Sequence, residues 1–69
     1  MELEKAVGAK IRRLRKVRGL SQERLAQEAS IDLRYLGGIE RGEHSPTVNV
    51  VGRLANALGV DPSDLLKPD

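Results

Sequence analysis

The sequence predicts an all-α domain of five short helices, and three observations lead there. Apolar residues recur at three- and four-residue steps in separate stretches, which is the period of amphipathic helices. Capping and turn residues fall between those stretches at short intervals. Tyr35 is the only aromatic residue, which disfavours strands. With 69 residues and no linker, repeat or low-complexity segment, the chain reads as one domain over residues 1–69.

In the first helix, Leu3, Val7, Ile11, Leu14 and Val17 form the apolar stripe. Arg18 in the last turn and Gly19 beyond it stop that helix. Ser21 then caps 21-SQERLAQEA-29, with Leu25, Ala26 and Ala29 on one face. Asp32 caps 33-LRYLGGIER-41, anchored by Leu36 and Ile39, and only Ser30 and Ile31 precede that cap. So short a link suits two helices meeting steeply rather than an antiparallel hairpin. After 42-GEHSP-46, Thr47 caps a fourth helix with Val51, Leu54, Ala55 and Leu58 as its stripe and Gly59 as its end. In 61-DPSD-64, Asp61 suits an N-cap, Pro62 the first helical position and Asp64 a capping box, with Leu65 and Leu66 following.

Composition excludes several function classes. There is no cysteine, so no disulfide or thiolate metal site is available, and a reducing compartment fits. No apolar run is long enough to span a membrane, and the first ten residues lack the apolar core of a signal peptide. One histidine, no convincing carboxylate pair and a core too small for a substrate cavity argue against an enzyme. The same features lead us to expect no cofactor, metal or small-molecule ligand. Net charge is +2 but unevenly spread. Residues 10–41 carry nine Lys/Arg against four Asp/Glu, whereas residues 59–69 carry Asp61, Asp64 and Asp69 against Lys67. A basic part and an acidic end suit a surface that meets a polyanion and a second surface free for other contacts.

A steep helix pair in a small basic α-domain is the general form of a helix-turn-helix. The stretch 20-LSQERLAQEASIDLRYLGGIERG-42 resembles the Cro/phage-repressor type, the xenobiotic-response-element family. Gln22 opens the first helix of the motif, Ala26 is the small residue that lets the helices approach, Ile31 fills the turn, and Glu-Arg-Gly at 40–42 closes the recognition helix. The likeness runs from 11-IRRLR-15 to 57-ALGVDPSDLL-66. It implies a lambda-repressor-like fold with the motif at about 21–41 and a candidate dimerisation segment at 59–67. One departure is Ser30, where the family often has glycine in a left-handed conformation. The string 32-DLRYLGGIERG-42 is similar to controller proteins of restriction–modification systems, although those often carry a basic or polar residue at the position of Leu33.

The resemblance implies a sequence-specific transcriptional regulator acting as a homodimer on a palindromic double-stranded DNA operator, in the cytoplasm and on the nucleoid when bound. Phage-type repressors, antitoxins and an interaction module without specific DNA binding are the alternatives. Base reading falls to Arg34, whose guanidinium suits guanine O6/N7, flanked by Leu33 and Tyr35; Arg34 reads alternatively as a solvated surface residue or a phosphate contact. Leu33 reads equally as an exposed or partly packed residue, and Tyr35 as a backbone contact, a wedge or a buried ring. Gln22, Arg41, His44, Ser45, Thr47 and Asn49 are the candidate phosphate contacts; His44 reads equally as a plain loop residue. In 10-KIRRLRKVR-18 the basic residues form the outer faces of a buried helix, except Arg15, which by resemblance pairs with Glu40. Val60, Leu65 and Leu66 are the candidate dimer contacts, and read alternatively as residues that only cap this domain's core. Gly37 and Gly38 give up about 1 kcal/mol each of helix propensity. At 100° per residue they fall with Arg34 and Arg41 on the outward face, which predicts clearance for close approach to DNA.

Overall fold

The computed structural model describes residues 2–67; Asp69 of the acidic end lies outside them. The chain forms α1 (Glu2–Val17), α2 (Gln22–Ala29), α3 (Leu33–Glu40) and α4 (Val48–Leu58). The expected fifth helix is a single 3-10 turn, Pro62–Leu65. Its four residues are too few to close more than one turn before Leu66 takes the C-cap. Among the described residues there is no strand.

The starts of α2, α3, α4 and the terminal turn are capped as the sequence dictates. Ser21 Oγ accepts from Arg24 N–H, Asp32 Oδ1 from Arg34 N–H, and Thr47 Oγ1 from Val50 N–H. Asp61 and Asp64 form a reciprocal capping box, with Pro62 in the first turn. Three helices end alike, on a left-handed residue: Gly19 (φ 70°), Ser30 (φ 56°) and Gly59 (φ 72°). After each, the next N–H bonds back to a carbonyl five residues earlier, as Ile31 does to Ala26 and Val60 to Ala55. Ser30 therefore takes the conformation for which glycine is the ordinary choice, at a cost of about 1–2 kcal/mol.

The core is one cluster. Ile11, Leu25, Leu36, Ile39, Leu54, Leu58 and Leu65 are fully buried and interlock all five elements. α1 packs chiefly on α3, α2 on α3 and α4, and the terminal turn on α4. The stripe of α1 is shorter than its periodicity suggests. Val7 and Ile11 are buried and Leu14 half-buried, but Leu3 and Val17 stand exposed, because the helix overruns the neighbours it packs on. Gly8 sets how close α1 and α3 come. A Cβ there would collide with the Ile39 carbonyl oxygen and lie 2.9 Å from that of Glu40.

Candidate nucleic-acid interface

The front of α3 presents its side chains outward. With Asp32 Oδ1 accepting from the Arg34 and Tyr35 N–H groups, the first turn is closed from outside, and Leu33 and Arg34 are exposed on it. Tyr35 is half-buried, its ring resting partly on the core.

The rear of the helix differs from expectation. Gly37 and Gly38 are both buried, and the space a side chain would take is already filled. A Cβ on Gly37 would lie 3.1 Å from Nη1 of Arg41. One on Gly38 would overlap the imidazole of His44, which folds back from the loop onto the helix. The glycines make room for two of the chain's own side chains, so open clearance for DNA is not what they provide. Helical geometry gave the correct face but could not show that a later loop returns to it.

Behind α3 lies a buried ion pair. Arg15 Nε and Nη2 donate to Glu40 Oε2 and Oε1 at 2.8 and 3.0 Å, a two-pronged contact, and Nη1 donates to the Leu20 carbonyl at 2.9 Å. Gln22 Nε2 donates to the same Glu40 Oε1 at 3.0 Å. Glu40 thus ties the C-terminal end of α1 and the start of α2 to α3, which fixes the relative placement of all three.

That network forms the floor of an open cleft of about 550 Å³. Arg12, Lys16 and Arg41 stand exposed around it, with half-buried Gln22 at the start of α2. Arg12 and Lys16 belong to the basic run expected on the outer faces of α1; both are exposed, and the face they share borders this cleft. Arg41 holds Glu43 through two bonds, Nε to Oε2 at 3.0 Å and Nη2 to Oε1 at 3.2 Å. The pair is exposed, and its hydrogen bond and charge raise the Arg41 pKa and lower that of Glu43. Exposed pairs of this kind are weak, so an incoming phosphate can replace Glu43. Ser45, Thr47 and Asn49 are exposed in and after the loop, and the Thr47 hydroxyl is already engaged as the α4 cap.

Residues 11–65 match the helix-turn-helix family. The chain belongs to it. An uncharacterized HTH-type transcriptional regulator of Sinorhizobium fredii is 40% identical over 68 residues, spanning 99% of this chain and 88% of that one. The control protein C.BamHI of Bacillus amyloliquefaciens is 38% identical over 60 residues, 86% of this chain and 74% of that one. Among solved structures, the restriction-modification controller protein C.AhdI of Aeromonas hydrophila superposes with a TM-score of 0.92 at 37% identity, over 94% of this chain and 98% of that one. These relatives are regulators rather than enzymes, in line with the non-enzymatic reading of the composition.

This helix-turn-helix protein carries a second surface of opposite character. A mostly apolar groove of about 550 Å³ runs between the start of α1, the start of α4 and the terminal turn. Leu3 (61% exposed), Val48 (91%) and Leu66 (56%) line it with Val51 at its base. Of the three expected dimer contacts only Leu66 faces this groove. Leu65 is 1% exposed and belongs to the core, since the 3-10 turn points it inward against α4; this corrects its assignment to an interface. Val60 is half-buried against the same core. Leu3 and Val48 were missed as surface residues: each stands at helical spacing from residues the fold covers, Leu3 from Val7 and Val48 from Ala55, and only the limits of the neighbouring elements leave the two exposed.

Proposed function

We propose that the chain is a sequence-specific transcriptional regulator that binds double-stranded DNA as a homodimer on a palindromic operator, with the front of α3 in the major groove. The observation that carries this reading is the arrangement of Arg34 on the outward front of α3 beside the cationic cleft at the start of α2. In that frame Arg34 reads a base edge, with Leu33 and Tyr35 flanking it. Gln22, Arg12, Lys16 and Arg41 hold one phosphate stretch at the cleft, and Ser45, Thr47 and Asn49 the next. Free N–H groups at the start of α2 add to the attraction for phosphate. Likeness to C.AhdI and C.BamHI favours a controller of a restriction–modification system, working in the cytoplasm on the nucleoid.

The two-fold partner is a second copy seated on the Leu3–Val48–Leu66 groove. A single 8-residue recognition helix spans about 12 Å, enough for only a few base pairs, so specificity requires two.

In-vitro selection of bound duplexes tests the whole reading. The expected result is a palindrome with half-site centres about one helical turn apart. On the selected operator, Arg34→Ala relaxes preference at one position per half-site at a cost of about 1–3 kcal/mol, whereas Gln22→Ala weakens all duplexes alike. Equal weakening of every sequence by Arg34→Ala would move that residue to the phosphate contacts. A pool that shows no enrichment would leave an interaction module.

A further inference from the structure

The loop after α3 folds back onto the recognition helix at Gly38. The Gly38 carbonyl accepts from the Glu43 N–H at 2.8 Å and from the His44 N–H at 3.4 Å. On the side of its missing side chain, Gly38 lies under the His44 ring, where a Cβ would overlap Cδ2 and stand 2.7 Å from Nε2. Any residue other than glycine at 38 therefore drives the imidazole off the helix. The ring so seated lies 5.9 Å from that of Tyr35, centre to centre, and is tilted 38° to it. Such spacing and tilt fall within the range of favourable aromatic pairs. Tyr35 is three residues before Gly38, on neighbouring turns of the same face, and its other side rests on the core. The tyrosine is thus braced between the core and a histidine delivered by the loop.

We propose that His44 is a positioning residue for DNA recognition: its imidazole, seated on the bare backbone of Gly38, holds the Tyr35 ring in the orientation that meets DNA. The inference rests on the DNA-binding reading above and reassigns His44 from the phosphate contacts. A ring already fixed in the free protein loses little side-chain freedom on binding, and that ordering cost is what the brace removes. It also gives the double glycine a function: Gly37 admits the Arg41 side chain and Gly38 the His44 ring.

The chain contains one tyrosine, one histidine, and no tryptophan or phenylalanine, so both rings can be observed without ambiguity. In the wild-type protein free of DNA, a nuclear Overhauser contact between the His44 and Tyr35 ring protons is expected, and Gly38→Ala abolishes it. On the selected operator, His44→Ala and Gly38→Ala each weaken binding about fivefold, the size of one aromatic contact. Their combination weakens it no further, His44→Phe restores it, and affinity for random duplex stays unchanged throughout. Absence of the ring contact in the wild type overturns the proposal. So does a His44→Phe variant as weak as His44→Ala, which would give the imidazole nitrogen a direct contact. Loss of random-duplex affinity in step overturns it too, by returning His44 to the phosphates. A wild-type chain that binds no duplex overturns the DNA-binding reading and this role together, and is distinguished because the ring contact is measured without DNA.

Discussion

At the scale of single residues, Glu40 has the most to hold. It sits at the end of α3, is nearly buried, and receives three hydrogen bonds from Arg15 and Gln22. An ion pair taken out of water contributes little net energy over an apolar pair, but removing one partner strands the other charge. Glu40→Ala therefore destabilises the domain by about 3–5 kcal/mol, a large share of what a chain of this size has. Thermal unfolding followed by circular dichroism measures it. A double-mutant cycle with Arg15→Ala isolates the pair, and coupling near zero would mean the two residues act separately. Arg34 is the contrasting case, exposed and free to change without effect on folding, so its substitution is read only on DNA.

At the scale of elements, the decisive contact is α1 against α3. Gly8 lets the backbones approach until a methyl group has no room, and the obstruction is carbonyl oxygen rather than a movable side chain. Gly8→Ala gains helix propensity yet destabilises the fold by about 1–3 kcal/mol, as overpacking does. Denaturant titration showing a variant as stable as wild type would mean that α1 can shift without loss. The terminal turn responds to acid instead. The Asp61 carboxyl is held below its usual 3.8 chiefly by the Ser63 hydroxyl, and that of Asp64 chiefly by Lys67. Because the folded values lie below the unfolded ones, their support of the turn is complete above the ordinary carboxylate value. It is lost as pH falls through the depressed folded values. The Ser63 and Asp61 amide resonances should titrate with midpoints below 3.8, and midpoints at or above it would show that the Ser63 and Lys67 contacts do not hold these carboxylates in solution.

At the scale of the whole molecule, dimensions bear on the proposed dimer. The domain measures 26 × 22 × 21 Å, shorter than the roughly 34 Å between adjacent half-site centres. One copy cannot reach both half-sites, so the dimer model needs a second copy and a surface to hold it. Leu66→Asp, or Val48→Glu, places a charge on the apolar groove without touching the core and should yield a folded monomer. Analytical ultracentrifugation checks the monomer, and circular dichroism the fold. Leu65→Asp serves as the control, because it buries the charge and unfolds the domain instead. A wild-type chain that sediments as a monomer both alone and on DNA would overturn the dimer.

The four α-helices, their caps and stops, and the middle of each core-facing stripe were legible in the sequence by itself, because each depends on residues within a turn or two of one another. Ser21, Asp32, Thr47 and Asp61 cap where local chemistry puts them, and the glycine stops need only a positive φ. What the tertiary structure alone decided depends on residues far apart in sequence coming together. Periodicity could not reveal that Gly8 faces the end of α3, that the face shared by Arg12 and Lys16 borders the cleft, or that Leu65 and Leu66 part company between core and groove. Nor could a helical wheel, which places Gly37 and Gly38 on the outer face, show that the loop behind them returns to cover it. A side chain's face follows from its own helix, but what occupies the space in front of that face is set by where the rest of the chain folds.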